Sequence, residues 1–143
     1  MPGWKESTLA ALQGPGYRSG GARQAVVELL AEQDCCLTAQ EIYDRLREKD
    51  RRVGIASVYR TLDLLVDKGL VQKIDIGAGT SRFEPAQPGG DHHHHIVCDN
   101  CGKVEAFADP RLERAIHRVE TSTGYAIAGH DVVLRGDCGD CRV

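Results

Sequence analysis

The chain has 143 residues, of which 27% are charged and 5% are aromatic, so it is long enough for one ordinary domain or two small ones but not for a large aromatic core. Its net charge is -3, with residues 1–84 neutral and residues 85–143 carrying the excess of acid, so nucleic acid could bind only through a local basic patch. No apolar run approaches membrane-spanning length and no signal peptide is recognisable, which argues against a membrane protein and predicts a cytoplasmic location.

The first half of the sequence is predicted to form short helices followed by a β-hairpin. The expected elements are helices over 25–30, from 38 onwards and over 55–68, and strands over 70–76 and 81–84. Thr38 and Glu41 form a capping box at the start of the second helix, and Gly69 supplies a left-handed stop after the third. Three helices followed by a two-stranded hairpin are typical of a winged helix-turn-helix domain.

Residues 85–90 are rich in proline and glycine and predict a boundary between two domains. The second half is predicted to contain strands over 92–97, 103–107 and 125–135, and a helix from Pro110 to about Gly124. We therefore expect an α+β chain with a winged-helix domain at 1–84, a hinge linker at 85–90 and a smaller α/β domain at 91–143.

Two Cys-x-x-Cys pairs lie in the second half, Cys98 with Cys101 and Cys138 with Cys141. Two residues between thiolates let one tight turn present both sulfurs to a tetrahedral ion at about 2.3 Å each. In a reducing cytoplasm, two such pairs indicate a structural zinc site rather than disulfides. Metal binding would then contribute folding free energy to the small domain.

Four consecutive histidines occupy positions 92–95, shortly before the first cysteine pair. Neighbouring side chains of a strand point to opposite faces, so His93 and His95 face one side while His92 and His94 face the other. The run therefore predicts two metal sites, one on each face, and each needs about two more ligands. The candidates for these ligands are Cys36, Glu84, Glu113, His117 and His130.

Two segments resemble signatures of the ferric uptake regulator superfamily of metal-dependent repressors. Residues 56–62, ASVYRTL, are similar to the recognition helix of that family, and HHHHIVC at 92–98 with CGKV at 101–104 is similar to its metal domain. The order of these motifs resembles the family over roughly residues 9–141. The resemblance implies a homodimeric, metal-dependent repressor of metal-uptake genes, with a winged-helix DNA-binding domain and a C-terminal dimerisation domain.

The resemblance also implies which residues bind metal. The implied regulatory site consists of Cys36, Glu84, His93 and His95. The implied second site, in the dimerisation domain, consists of His92, His94, Glu113 and His130. His117 is left over, and we expect it to be a surface residue of a helix.

The ligands of the regulatory site favour different ions. The thiolate of Cys36, where the family often has histidine, favours Zn(2+), whereas the carboxylate of Glu84 is a hard ligand that favours Fe(2+) or Mn(2+). Some family members also use an acidic ligand at the position of Ala106. We expect an iron-type regulator with a structural Zn(2+), and the alternatives within the superfamily are a zinc-uptake regulator and a peroxide sensor that uses Cys35 and Cys36.

For DNA, the helix at 55–68 is expected to enter the major groove. There Tyr59 can pack against a thymine methyl group, and Ser57 and Arg60 can reach phosphates or base edges. The resemblance implies that Arg18 reaches the minor groove and that Arg23 lies near the DNA backbone. The implied partner is double-stranded DNA with an AT-rich pseudo-palindromic operator, bound by two recognition helices of a dimer. A local basic cluster is formed by Arg45, Arg47, Lys49, Arg51 and Arg52.

Two other classes of protein fit the sequence less well. A zinc-dependent enzyme would leave one metal position open for a substrate, but neither a His-Glu-x-x-His helix nor a deaminase motif is present in the sequence. A metal buffer or zinc-ribbon interaction module would not account for the recognition-helix pattern. We therefore expect no membrane partner and no small organic substrate.

Overall fold

The computed structural model describes residues 3–15, 21–33, 35–76, 79–86 and 93–142. The chain divides into two units, a first unit at Met1–Gly90 and a second unit at Asp91–Val143. Within these described ranges, no helix is both long enough and apolar enough to cross a membrane.

The described part of the first unit combines helices with a three-stranded antiparallel sheet. Its elements are α1 (Trp4–Leu12), α2 (Ala22–Ala31), β1 (Leu37–Thr38), α3 (Ala39–Glu48), α4 (Ile55–Asp67), β2 (Val71–Asp75) and β3 (Ser81–Pro85). The strands pair in the order β1-β3-β2, and both ladders are antiparallel. Helix α4 follows α3 after a short turn and leads into the β2-β3 hairpin, as in a winged helix-turn-helix.

Local signals fix where two of these helices begin and end. The predicted capping box of α3 is confirmed: Thr38 Oγ1 accepts from the Glu41 amide at 3.0 Å, and Glu41 Oε1 accepts from the Thr38 amide at 3.2 Å. Helix α4 is followed by Gly69, whose φ of 71° lies in the left-handed region that a Cβ would strain. The chain therefore leaves α4 at the predicted position and enters the wing.

One face of α4 packs against the apolar core of the first unit. Val26 of α2, Ile42 of α3 and Leu62 of α4 have no exposed surface and belong to one apolar cluster. Burying an aliphatic side chain of this size contributes about 1.5–3 kcal/mol. Helix α1 is tied to the end of this core, because Trp4 Nε1 donates to the Leu70 carbonyl oxygen at 2.8 Å. The opposite face of α4 is left to solvent.

The second unit is a small sheet with one helix. Its elements are β4 (His94–Cys98), β5 (Val104–Phe107), α5 (Pro110–Thr123) and β6 (Val133–Gly136). The strands lie in the order β5-β4-β6, with β4 antiparallel to β5 and parallel to β6. Asp109 caps α5 by accepting from the Arg111 amide at 2.8 Å, and Gly124 ends it with a φ of 77°. None of the residues of α5 is buried.

Some elements differ from the sequence prediction. Helix α1 and the two-residue strand β1 were not predicted, and the strand expected over 125–135 is wrong for residues 125–132. In that segment the Ile127 amide donates to Glu120 Oε1 at 2.7 Å and the Tyr125 amide donates to Thr123 Oγ1 at 3.4 Å. These amides are bonded to side chains at the end of α5, so strand pairing begins only at Val133.

Candidate metal centres and nucleic-acid interface

The four cysteines of the two predicted pairs come together in the second unit. The sulfurs of Cys98, Cys101, Cys138 and Cys141 all lie within 4.8 Å of one another. Those of Cys101 and Cys138 are 3.8 Å apart. A tetrahedral zinc ion with Zn–S bonds of about 2.3 Å places its sulfurs about 3.8 Å from one another. The cluster is therefore suited to a structural zinc ion.

Backbone hydrogen bonds lower the pKa of one of the four cysteines, which favours metal binding. The amides of Cys101 and Cys138 donate to Cys98 Sγ at 3.4 Å and 3.3 Å. They lower the pKa of Cys98 to about 6, so this sulfur is a thiolate at neutral pH. A hydrogen bond with the Cys138 side chain raises the pKa of Cys141 to about 12. An ion that binds all four sulfurs must displace the protons that remain on them.

Strand pairing brings the two cysteine pairs together across the sequence. The parallel ladder between β4 and β6 sets Cys98 opposite Gly136, two residues before Cys138. The Asp99 amide donates to the Gly136 carbonyl oxygen at 2.8 Å, and Arg135 Nη1 donates to Asp99 Oδ1 at 3.3 Å. The second pair is thus anchored beside the first by the sheet itself.

A second cluster joins β4, α5 and the segment before β6. His94 Nε2 lies 2.5 Å from Glu113 Oε1, and His130 Nε2 lies 2.8 Å from Glu113 Oε2. The Val132 amide donates to His94 Nδ1 at 3.3 Å, which leaves the Nε2 atom of that ring directed at the carboxylate. Three of the four predicted ligands therefore lie together, and His92 lies outside the described residues.

In the first unit, the sheet places Cys36 beside Glu84. Leu37 pairs with Phe83 in an antiparallel ladder, and the same register continued by one residue beyond the start of β1 places Cys36 opposite Glu84. Both are buried, with exposures of 4% and 3%. The Cys35 thiol, whose sulfur lies 3.6 Å from that of Cys36, raises the pKa of Cys36 together with burial. Cys36 therefore stays protonated until a metal displaces its proton.

Arg82 is a residue that the sequence analysis missed. Its Nη1 donates to the Cys36 carbonyl oxygen at 3.4 Å and lies 3.1 Å from Glu41 Oε1, the carboxylate of the capping box. It connects the backbone at a predicted metal ligand to the start of α3. The signal available in the sequence was its position two residues before Glu84, which puts both on one face of β3.

The three described histidines of the run, His93, His94 and His95, separate by strand alternation as predicted. The rings of His93 and His95 lie 5.0 Å apart, while His94 faces Glu113 on the other side. His117 is confirmed as a surface residue, because its side chain is 80% exposed and its Nδ1 lies 3.5 Å from a carboxylate oxygen of α5.

The solvent face of α4 carries the residues predicted to contact DNA. Tyr59 is 50% exposed although it is a large aromatic residue, Arg60 is exposed, and Arg60 Nη2 donates to Ser57 Oγ at 3.4 Å. Arg23 is half-buried in the first turn of α2, and Arg18 lies outside the described residues. An exposed aromatic residue beside an arginine on one helix face is suited to reading DNA in the major groove.

Comparison with known proteins identifies the family. Residues 15–135 match the ferric uptake regulator family. The chain belongs to this family. The ferric uptake regulation protein of Bacillus subtilis (strain 168) is 35% identical over 133 residues, which cover 92% of this chain and 89% of that protein. The ferric uptake regulation protein of Neisseria meningitidis serogroup C is 33% identical over 141 residues, which cover 96% and 95%.

Solved structures agree with this result. The ferric uptake regulator of Helicobacter pylori superposes on this chain with a TM-score of 0.81 at 30% sequence identity. The match covers 96% of this chain and 93% of that one, and that protein is described as having three functional metal binding sites. The α+β fold predicted from the sequence pattern and the resemblance to the family are therefore both confirmed. As a member of the ferric uptake regulator family, whose proteins are dimeric DNA-binding regulators, the chain is a metal-responsive transcriptional regulator.

Proposed function

We propose that the chain is a homodimeric repressor that binds the operators of metal-uptake genes when its regulatory site holds Fe(II). The observation that carries this proposal is that each unit presents one adjacent pair of metal ligands. In the first unit the register of the β1-β3 ladder places Cys36 opposite Glu84, and the rings of His93 and His95 lie 5.0 Å apart in the second. An ion that takes both pairs is coordinated fourfold by side chains of both units.

Such an ion would couple metal to DNA binding through the hinge. In the proposed organisation the first unit binds DNA, residues 91–143 dimerise, and the linker is shorter than the predicted 85–90, because Pro85 belongs to β3 and the Ala86 amide donates to the Leu70 carbonyl oxygen at 3.0 Å. Without the ion, the two recognition helices of a dimer sample many separations, and the apparent affinity for DNA is reduced to the fraction that is competent. The ion raises that fraction by favouring one arrangement.

Iron is the ion that the ligand chemistry and the relatives favour together. One carboxylate and two imidazoles suit Fe(II), and the B. subtilis and N. meningitidis relatives are named ferric uptake regulation proteins. The second candidate is zinc, and the observation that favours it is the buried Cys36 thiol, which is a soft ligand. Peroxide sensing is the third, and although the sulfurs of Cys35 and Cys36 lie 3.6 Å apart, it is disfavoured because it requires an exposed thiolate whereas Cys36 is buried and its pKa is raised.

An anaerobic DNA-binding titration separates these candidates. Fluorescence anisotropy of a labelled AT-rich pseudo-palindromic duplex would be followed as Fe(II), Mn(II) or Zn(II) is added to the metal-free protein. We expect Fe(II) to raise the affinity most, Cys36→Ser to remove the response, and the matched variant Cys35→Ser to keep it. If Cys36→Ser responds to metal like wild type, Cys36 is not a ligand of the regulatory site. If DNA binding survives the loss of all regulatory metal, the proposed coupling between metal and DNA binding is refuted.

The second cluster has a different proposed role, because its described ligands all lie in the second unit. His94, Glu113 and His130, with His92 as the fourth ligand implied by the family, would bind a divalent ion that links β4 to α5. We expect His130→Ala to lower the thermal stability of the metal-loaded second unit. The metal response of DNA binding should persist in this variant, in contrast to Cys36→Ser.

The dimer surface is proposed to be the exposed apolar face of the second unit. Ile96 and Leu134 are neighbours across the β4-β6 ladder and remain 41% and 47% exposed, and Val119 and Tyr125 are also exposed. A two-fold dimer that covers this surface would present two recognition helices to a pseudo-palindromic operator. Sedimentation should show a monomer for Ile96→Glu but still a dimer for Arg114→Glu, and a dimeric Ile96→Glu protein would place the interface elsewhere.

A further inference from the structure

A basic groove lies at the turn between α3 and α4, next to the proposed recognition helix. It has a volume of about 410 Å³ and is lined by Arg47, Arg51 and Arg52, with Tyr43 and Gly54 at its sides. Asp50 is the acidic residue among its lining residues, so the groove carries a net positive charge. A positive groove on a domain that binds DNA is suited to a phosphate group.

Ion pairs within the fold account for only part of the basic cluster. Three of its five members bind residues of α2 or of the segment that follows it. Lys49 forms an ion pair with Glu32 and Arg51 forms one with Glu28 at 3.0 Å, whereas Arg45 donates a hydrogen bond to the uncharged side chain of Gln33. Arg47 and Arg52 form no ion pair within the described ranges of the chain, and both line the groove. Within those ranges no acidic side chain neutralises Arg47 or Arg52, so the two groove-lining charges point to a partner outside the fold.

The groove is held in shape by its surroundings. The guanidinium of Arg47 lies 5.6 Å from the centroid of the Tyr43 ring, in cation–π range, and the amide of Arg51 donates to the Leu46 carbonyl oxygen at 2.8 Å. Asp50 adopts a left-handed φ of 58°, which turns the chain sharply out of α3. The arginines are thus presented by an ordered turn, which lowers the entropy lost when they bind an anion.

The position of the groove selects DNA as the source of the phosphate. In a helix-turn-helix the first helix crosses the DNA backbone while the second lies in the major groove. The groove sits where the first of these helices, α3, turns into the second, α4, whose exposed face carries Tyr59 and Arg60. We propose that Arg47 and Arg52 bind a backbone phosphate of the operator duplex and so fix how deeply α4 enters the groove. This inference rests on the proposed DNA-binding function and adds a contact that is independent of base sequence.

The salt dependence of DNA binding tests the contact directly. Each phosphate contact contributes about 0.9 to the slope of log K against log salt, so Arg47→Gln/Arg52→Gln should lower the slope of a dimer by about 2 to 4. Affinity should fall equally for an operator duplex and a scrambled duplex, since no base is read. The charge-matched control is Arg114→Gln/Arg118→Gln, on the exposed face of α5, and it should leave the slope unchanged. Arg47→Lys/Arg52→Lys should restore most of the slope, because a phosphate accepts a point charge.

The outcomes separate this inference from the proposed function. If metal-loaded wild type binds neither duplex, the proposed function fails. If wild type binds and the glutamine variant keeps its slope with an unchanged melting temperature, the phosphate contact is refuted while the function stands. A titration of the protein with inorganic pyrophosphate, in the absence of DNA, tests whether the groove binds a small phosphate ligand instead. Tight binding that the glutamine variant abolishes, with the DNA slope unchanged, would assign the groove to a small phosphate ligand and overturn the proposal.

Discussion

Removing zinc from the four-cysteine cluster should unfold the second unit and leave the first unit folded. Among residues 93–142, the buried apolar side chains are those of Val97 and Cys98, and α5 buries none of its residues. The first unit, by contrast, has an apolar cluster that runs from Leu12 to Phe83. We therefore expect the second unit to depend on bound metal for its stability.

The magnitudes decide the expected result. Burial of Val97 contributes about 1.5–3 kcal/mol, whereas a structural zinc ion contributes about 10–16 kcal/mol at neutral pH. The total free energy of unfolding of a typical domain is only about 5–15 kcal/mol. The free energy contributed by zinc is therefore as large as the whole stability expected of the second unit. Replacing Cys138 by serine removes one of the four ligands, and with it the sulfur that lies 3.8 Å from that of Cys101.

Two probes distinguish the units in one sample. Trp4 is the only tryptophan of the chain and is bonded to the Leu70 carbonyl oxygen, so its fluorescence reports on the first unit. Hydrogen exchange of residues 110–123 reports on α5 in the second. We expect chelation or Cys138→Ser to speed exchange in α5 without shifting the tryptophan emission, and Cys35→Ser to change neither. A protein shown by metal analysis to lack zinc, with α5 exchanging as slowly as before, would refute the reasoning.

Three further substitutions test separate contacts. Tyr59→Ala should weaken binding to the operator by about 1–3 kcal/mol in anisotropy measurements while binding to a scrambled duplex is unchanged, because only a base contact is lost. Arg82→Met removes the 3.1 Å ion pair with Glu41 and should lower the free energy of unfolding in urea by about 1–2 kcal/mol, while Glu41→Gln should reproduce part of that loss. The Arg111 amide lowers the pKa of Asp109, so the stability this carboxylate adds is present at neutral pH and is lost as the pH falls through its lowered pKa. Thermal melts should show a lower Tm for Asp109→Ala at neutral pH and a shrinking difference in acid, and a difference independent of pH would contradict the capping role.

The parts of the fold that could be predicted are those set by residues close in sequence. The capping box of Thr38 and Glu41 depends on two side chains three residues apart, and Gly69 marks a helix stop by its own conformational freedom. The alternation of the histidine run depends only on strand geometry. Each of these signals acts between residues that are close in the chain, so it can be recognised in the sequence, and the structure agrees with the prediction.

The parts that could not be predicted depend on distant partners. Strand β1 has two residues and exists only because Leu37 and Thr38 pair with β3 more than forty positions later. Helix α1 is held by a bond from Trp4 to Leu70, sixty-six residues away. The sequence also shows the basic cluster at the end of α3 and in the turn that follows, but not which of its members the fold neutralises. The ion pair of Arg51 with Glu28 and the stacking of Arg47 on Tyr43 become visible only in the folded structure.

The distribution of the ligands between the units leads us to expect that the three proposed metal sites affect DNA binding in different ways. The four cysteines all lie in the second unit, as do His94, Glu113 and His130. An ion bound there makes the same contacts whatever the position of the DNA-binding helix, so we expect it to act on DNA binding through the stability of the second unit and not by selecting the competent arrangement. The proposed site of Cys36 and Glu84 of one unit and two histidines of the other would have a differential affinity for that arrangement. Its ligands are necessarily incomplete within either unit, and this incompleteness is what makes the proposed regulatory site responsive to the arrangement of the units.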